Sequence, residues 1–556
     1  MGTKLTPIPQ IPDTELSDQE ALLLQLLRER EEYIEQLKNE IDRIKGHKGK
    51  PKIKPSRLEP KKKALQQHED KQDSGSELLR QKKKRPGSSK RHKTACLPIH
   101  ETRIIQPTTE IPTGSEFKGY QDYTVQELII KPHNIRYRLA IWKTPTGSYI
   151  KGHLSPQVRV QGHFGPTLKS YLLYQYHHCH VPQPLLLKQM YDWGIELSAG
   201  QLNRLLVEDK EKYHAEKQEI LRVGLSVSSY INTDDTSARH QGVNSYCTHI
   251  GNEWFAWFET TPRKNRINFL ELLRGDTTDY VISREALSYM SEHRLPQHQL
   301  QNLSQWHNRV FKNTQEWLTA LKSLGIEKDS HLKTATEGAL LGAVLASGVS
   351  SDLGIISDGA GQFRLLCHGL CWVHAERLIN KLIPFTSAQK LAIETVQDQI
   401  WQLYQDLKAY KTSSSLAQQQ HKADLEARFD KIFTTSTCFE TLNQVLERLN
   451  RRKSELLKVL SRPELPLHNN ASEQDIREFV TKRKISGSTR SDSGRRCRDT
   501  FASLKKTCRK LGISFWEYLT DRVCDKNLIP PLGQLILQKA GSLGSLAADK
   551  SSTSFA

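Results

Sequence analysis

Two aspartates, Asp234 and Asp235, close the run VGLSVSSYINTDDTSA, and a third, Asp358, closes LGIISDGAGQF. Both runs are β-branched and apolar before they turn polar, which predicts strands whose C-terminal ends carry carboxylates. Such strand ends are where a rigid backbone can hold acids around hard divalent cations. Glu473 follows the turn-like HNN, at the start of a predicted helix, and can supply a third carboxylate from outside the sheet. Three acids and two Mg²⁺ ions ~3.5–4 Å apart, with Mn²⁺ as a substitute, can activate a water or a sugar hydroxyl and stabilise an in-line phosphoryl transfer. Spacing alone is weak support for this, because the chain has 62 Asp and Glu.

Asp235 is the near-competitor of Asp234. As its strand neighbour it points to the opposite face, which suits a supporting role better than ligation. Arg477, Lys482, Arg483 and Lys484 flank Glu473, and Arg490, Arg495, Arg496 and Arg498 follow. Cations beside a carboxylate site fit neutralisation of a DNA backbone better than solubility alone. In CWVH, Cys371 and His374 stand three apart on one helical face. Two ligands do not make a structural zinc site, so a packed Cys and a His that orients the Asp358 region are expected. Trp372 reads as core. His249, His368 and the HHCH cluster at 177–180 read as packed or ordinary polar residues.

The elements that must position these groups belong to a chain of 556 residues, long enough for several domains. With 26% charged and 37% hydrophobic residues the bulk reads as globular. The net charge of +19 favours a polyanionic partner. Residues 45–93 hold 18 Lys/Arg against 5 Asp/Glu, a net +13 that leaves about +6 for everything else. The nine cysteines form no Cys-x-x-Cys pair, so reduced thiols and a cytoplasmic setting are expected. The first residues lack the order of a signal peptide, and no stretch reaches the apolar length of a membrane span.

Along the chain, 1–45 reads as a zipper-like helix, with Leu23, Leu27, Ile34, Leu37, Ile41 and Ile44 at 3/4 spacing; it has either a partner helix or its own core to cover. Residues 46–93 form a basic, Pro- and Ser-rich linker. Its Lys82, Lys83, Lys84 and Arg85 are either solvated or part of an arm that tracks phosphates. Residues 94–160 alternate like a small β-rich domain. Within 161–220, helix candidates at 183–193 and 198–208, with Ser198 as N-cap, fit a helix-turn-helix unit that either reads DNA or simply packs. The carboxylates fall in 221–380, a mixed sheet with a polar helical insert, and in 466–530, with a helical insertion at 381–465 between them. Residues 531–556 read as a loose tail.

The order of zipper, basic linker, paired helices, TDDT, SDG, CWVH and NNASEQDIR resembles the DDE-class transposases of bacterial insertion sequences, of the insertion-sequence-66 type. The likeness covers roughly 20–525 and is strongest at 351–385 and 465–510. It implies an α/β fold with a ribonuclease-H-like catalytic core and a helical insertion, beside an N-terminal coiled coil, a basic linker and a small α+β, helix-turn-helix DNA-binding region. The family's Asp-Glu-Thr element is matched by Asp234, Asp235 and Thr236, and its Asp-Gly element by Asp358 and Gly359. Its Asn-Asn-x-x-Glu-x-x-x-Arg element is matched by Asn469, Asn470, Glu473 and Arg477. The resemblance therefore implies Asp234, Asp358 and Glu473 as ligands of two Mg²⁺ ions, with His374 supporting the centre or the scissile DNA. It implies an enzyme that binds terminal inverted repeats of double-stranded DNA, hydrolyses a phosphodiester at each end and joins the freed 3′-hydroxyl to target DNA. The working form is expected to be a dimer on DNA, in the bacterial cytoplasm at the nucleoid, with accessory element-encoded proteins among the candidate partners and no membrane. Lys82, Lys83, Lys84, Arg85, Arg477, Lys482, Arg483, Lys484 and Arg495 are the expected DNA contacts. Two departures stand out: Asp235 replaces the family's usual glutamate, and 94–160 has only Cys96 where a Cys-rich zinc element is common. The alternatives are a silent or regulatory DNA-binding descendant, or a structure-specific nuclease on the same fold.

Overall fold

The computed structural model describes Arg30, residues 97–154 and residues 164–541. The zipper apart from Arg30, the basic linker with Lys82, Lys83, Lys84 and Arg85, and the residues after 541 lie outside the described residues. The chain divides into two units, one of Lys61–Arg138 with Gln189–Glu196 and one of the remainder. In the first unit, 97–138 contains no strand or helix. Its alternating apolar residues, such as Ile105, Tyr123 and Leu128, are exposed. Among the described residues 97–154, the strands are β1 (Ile141–Lys143) and β2 (Tyr149–Lys151), an exposed antiparallel pair in the second unit. A period-2 pattern forms strands only where one face can be buried.

The rest of the second unit is a mixed α/β structure. Its first helices are α1 (Pro166–His177), the start of α2 (Gln183–Asp192), whose residues from Gln189 on belong to the first unit, α3 (Ala199–Val207) and α4 (Glu211–Val227). The expected Ser198 cap is present: its hydroxyl accepts from Gln201 N at 3.1 Å, while Gln201 Oε1 accepts from Ser198 N at 2.9 Å. There follow β3 (Tyr230–His240), β4 (Val243–Gly251) and β5 (Ala256–Thr261), then α5 (Arg266–Arg274), β6 (Tyr280–Val281), α6 (Arg284–Glu292), α7 (Gln297–Ser304), β7 (Val310–Phe311), α8 (Thr314–Ser323) and α9 (Asp329–Ala346). Strands β8 (Gly354–Ser357) and β9 (Cys367–Leu370) complete a five-stranded sheet in the order β5-β4-β3-β8-β9. The first three strands are antiparallel, and β8 and β9 join parallel to β3.

Helix α10 (Trp372–Asn380) leads into a helical insertion of α11 (Ser387–Thr412), α12 (Ser415–Phe433), α13 (Glu440–Asn450) and α14 (Lys453–Leu456). Its core gathers around Trp372, whose indole N–H donates to Leu456 O at 2.9 Å. The chain returns as α15 (Asn470–Ser486), α16 (Asp492–Leu511) and α17 (Phe515–Val523). Ala238, Cys247, Ala256 and Phe258 pack with Ile476 and Phe479 of α15 on one sheet face.

Helix α16 also seals the sheet edge. The outward N–H groups of Ala256, Phe258 and Thr260 donate to Thr507 Oγ1 (3.2 Å), Ser503 Oγ (2.9 Å) and Asp499 Oδ2 (2.8 Å). Four helical residues rise about 6.0 Å and two strand residues about 6.8 Å, so an i, i+4, i+8 stripe of short polar side chains stays in step with alternate strand residues. An edge that would otherwise offer unpaired N–H groups is thereby closed. Among the described residues, no helix is long and apolar enough to cross a membrane.

Candidate functional site

The parallel pairing of β3 with β8 sets Asn232 opposite Ile356. Two residues further on, Asp234 is level with Asp358, the first residue past β8. The pleat puts both on the face covered by α15. Asp234 accepts from Asp235 N at 2.8 Å, and Asp358 from Ala360 N at 2.9 Å. Burial pushes the Asp234 carboxyl up to about 7, and the negative charges of Asp358, Asp235 and Glu473 add to the rise.

The turn after Asp358 is held from below. Gly359 has φ +94°, and a Cβ there would lie 2.6 Å from Leu370 Cδ1. Its N–H donates to Ser357 Oγ at 3.1 Å, and Ser357 Oγ is hydrogen bonded to His368 Nε2 at 2.8 Å. The other ring nitrogen of His368 is 3.6 Å from Glu455 of α14. Burial would raise the Glu455 carboxyl, but His368, Arg452 and Arg364 together hold it at about 2. Arg452 also donates to Gly359 O at 3.3 Å, so the helical insertion reaches the Asp358 turn directly.

Glu473 is brought in by Asn469. This fully buried residue donates from Nδ2 to Thr233 O (2.8 Å), accepts on Oδ1 from Asn232 (2.9 Å), and donates its backbone N–H to Cys371 Sγ (3.2 Å). It therefore ties the start of α15 to β3 and to the start of α10. Glu473 N donates to Asn469 O at 3.2 Å, which sets the first turn of α15. The Glu473 carboxylate faces Arg377 (3.3 Å), His374 (3.5 Å) and, four residues on, Arg477 (3.7 Å). Among the described residues, no group of three or more His, Cys, Asp or Glu side chains is placed to hold a metal ion. The two aspartates are adjacent hard oxygen donors of the type divalent cations take; Glu473 contributes its charge to Asp234 while its oxygens are spent on Arg377, His374 and Arg477.

Asp235 lies on the other face, where Thr248 Oγ1 (2.5 Å) and Gln362 Nε2 (2.8 Å) donate to its carboxyl. Burial raises this carboxyl and those two hydrogen bonds oppose the rise. Burial also pushes the Cys371 thiol up to about 11, so it stays protonated and packed. His249, level with Asp234 on β4, is fully buried. Its ring joins Ser472 Oγ (2.6 Å) and Asp475 (3.2 Å), and Lys510 holds Asp475 at 2.8 Å. His249 thus docks α15 on the sheet, a role its lone position in the sequence does not signal.

The basic residues separate into inward and outward sets. Lys482 is buried, donates to Tyr176 O at 2.7 Å and lies 3.7 Å above the Tyr176 ring; burial, with Lys505 and Arg498 nearby, lowers it to about 7. Arg483 donates to Ser237 Oγ at 2.8 Å, and Arg495 lies 3.4 Å from Glu259. Arg477, Lys484, Arg490 and Arg496 are exposed.

This geometry spans the region where the chain matches known proteins. Residues 357–496, from the end of β8 into α16, match the model described as "Transposase IS66 family" and so take in Asp358, His374 and Glu473 but not Asp234. The chain is 44% identical over 326 residues to "Uncharacterized protein y4jO" of Sinorhizobium fredii (strain NBRC 101917 / NGR234), an alignment that covers 58% of this chain and 100% of that relative. No solved structure matches. With the whole of that relative aligned and the Asp358–Glu473 segment inside the matched domain, the chain belongs to one family with the y4jO protein and carries homology to the IS66 transposase domain.

Proposed function

We propose that the protein is a DDE-type DNA transposase built on a ribonuclease-H-like core. The observation that carries this reading is the matched register of Asp234 and Asp358 on neighbouring parallel strands, with Glu473 tied to the same strand through Asn469. The sheet order, three antiparallel strands followed by two parallel ones, supports the same core.

Asp234 and Asp358 would hold Mg²⁺, or Mn²⁺ in its place, with Glu473 as the third carboxylate once it exchanges its cationic partners. When bound, two such ions supply charge stabilisation for in-line displacement at phosphorus. The protein's own residues do the rest. The Asp235 N–H and the Ala360 N–H orient the two aspartates, and the Ser357–His368–Glu455 chain keeps the Asp358 turn rigid. Arg377 and His374, at the carboxylate of Glu473, are within the same centre and suit contact with a phosphate. In the first step water attacks the phosphodiester at an element end, the P–O3′ bond breaks, and the leaving 3′-oxygen takes up a proton, leaving a 5′-phosphate on the flank. In the second, the 3′-hydroxyl attacks a target phosphodiester and releases another 3′-hydroxyl.

Arg477 and Lys484, exposed on the helix of Glu473, are the DNA contacts that this reading favours inside the core, with Lys82, Lys83, Lys84 and Arg85 as an arm. The buried bonds of Lys482 and the side-chain bonds of Arg483 and Arg495 favour a structural share for those three. Two paired ends require two active centres, hence a dimer on double-stranded DNA.

The test is cleavage and joining of DNA bearing the candidate terminal repeats, with Mg²⁺ or Mn²⁺, by wild type, Asp358→Ala and Glu473→Ala. The expected result is activity in the wild type and end binding without reaction in both variants. A wild type that binds the ends and neither cleaves nor joins them moves the protein to the regulatory class; cleavage without joining moves it to the nucleases.

A further inference from the structure

On the sheet face opposite Asp234, a cavity of about 330 Å³ lies between α4, β5, α5 and the first turns of α16. That volume is at the lower end of the ~300–1,000 Å³ typical of small-ligand sites. Three cations line it. Lys217 of α4 and Arg495 of α16 share one carboxylate, Glu259, with Arg495 at 3.4 Å. Arg496 is exposed and makes no hydrogen bond or ion pair with any described residue. Glu271, half-buried, is the remaining acid of the wall.

The cavity also has a buried donor without a partner. Trp257 is 2% exposed, its ring is held under Lys217 at 4.5 Å, and its indole N–H donates to no described residue. A buried N–H left unpaired is destabilising, so its retention at a cavity wall points to an acceptor that arrives from outside. Arg495 also pairs with Asp492 at 3.4 Å and donates to Thr260 O, so the wall's unspent donors are the Arg496 guanidinium and the Trp257 indole N–H, beside Lys217 on Glu259. That is the complement of a phosphate.

We propose that this cavity binds a phosphate monoester, the 5′-phosphorylated terminus of a DNA strand. Glu259 is in register with Thr248 and Asp235, two strands away, so the cavity wall is about 10 Å from Asp235 along the sheet. The Asp234–Asp358 pair lies on the other face of the same sheet, so the cavity would receive the strand end after its release and away from the reacting centre. The assignment of a DNA end rests on the strand-transfer reading; the phosphate chemistry of the wall does not.

The experiment is equilibrium binding of a 3′-labelled oligonucleotide bearing either a 5′-phosphate or a 5′-hydroxyl, with EDTA present so that no cleavage is needed. The full-length wild type is expected to prefer the phosphorylated strand about tenfold, the effect of roughly one charge-assisted hydrogen bond. Trp257→Phe, which keeps the ring, and Arg496→Gln, at an exposed position without structural bonds, should each reduce that preference severalfold and leave the 5′-hydroxyl strand unchanged. Equal affinity for the two strands in the wild type, or a preference that survives both substitutions, overturns the proposal. Thymidine monophosphate competing as tightly as the phosphorylated strand overturns the strand-end assignment, whereas much weaker competition supports it. Asp358→Ala should keep the preference even if strand transfer is absent, so failure here and failure of the transposase reading are separate results.

Discussion

Asp234→Asn should make the protein more stable, and the gain should depend on pH. The Asp234 carboxyl is moved from an ordinary 3.8 to about 7 by burial and by the facing charge of Asp358. The folded protein therefore holds this proton more tightly than the unfolded chain does. Stability from the group is fully present below pH 3.8 and is lost as pH rises through 7. Full ionisation costs about 4 kcal/mol from that displacement, and the partial solvent contact of Asp234 reduces it to about 2–4 kcal/mol. Asparagine removes the charge and keeps an oxygen to accept the Asp235 N–H, a bond of 2.8 Å in the wild type.

The assay is thermal unfolding of both proteins at pH 4 and pH 8 in EDTA, followed by circular dichroism. At pH 8 the variant should melt higher by roughly 4–8 °C, taking about 2 kcal/mol and a core of 150–250 residues, and at pH 4 the two should nearly coincide. Mg²⁺ at about 100 times its dissociation constant should then stabilise the wild type by about 2.7 kcal/mol and leave the variant unmoved. A variant no more stable than wild type at pH 8, or one whose advantage is equal at both pH values, refutes the account of a buried carboxyl held among like charges.

Asn469→Ala should cost about 2–4 kcal/mol, read from urea midpoints, because it strands the buried Thr233 carbonyl and the Asn232 amide. Asp499→Ala should cost about 3 kcal/mol by leaving Arg498 unpaired, and hydrogen exchange should accelerate first at the Thr260 amide that Asp499 accepts from. Glu455→Gln should cost about 2 kcal/mol at pH 7. Because the Glu455 carboxyl is held at about 2, below its ordinary 4.5, that stability is present above pH 4.5 and lost as pH falls towards 2, so the urea midpoints should converge in acid.

What the sequence reveals of the site is local, and what it conceals is the identity of distant partners. The strand that ends just before Asp358 is legible because β-branched runs that turn polar have few other uses, and Ser198 is legible because a cap needs only residues three apart; β3, by contrast, does not end at Asp235 but runs on to His240, since its pairing with β4 continues through Thr236–His240. Lys482 shows the limit. Its place in the run KRK, beside Arg483 and Lys484, reads as part of one DNA-facing set, yet its ammonium is 2.7 Å from a carbonyl 306 residues away. Burial, not spacing, decides which cations of a cluster remain available. The same holds for His249 and His368: each is a lone histidine in the chain, and each becomes a structural link only because a sheet register or a helical insertion sets Asp475 or Glu455 beside it. In the stretch 94–160 the alternation is as regular as in β3, and among its described residues it forms only two three-residue strands, because those strands bury neither face.

The aspartates themselves illustrate how a non-local arrangement can still be derived once one pairing is known. With Asn232 opposite Ile356, every even residue of the end of β3 is level with an even residue of β8, and a slip of one residue would turn Asp358 to the face of Asp235. The buried side chains of Ile231, Ile355 and Ile356 make such a slip costly, since each would exchange a packed neighbour for a polar one. The apolar residues that look like mere core thus select which carboxylates meet. By the same logic the family match over 357–496 covers Asp358 and Glu473 but not Asp234, while the register requires Asp234 as the partner of Asp358. The strand pairing therefore extends the candidate centre beyond the 357–496 stretch that the IS66 transposase domain match marks.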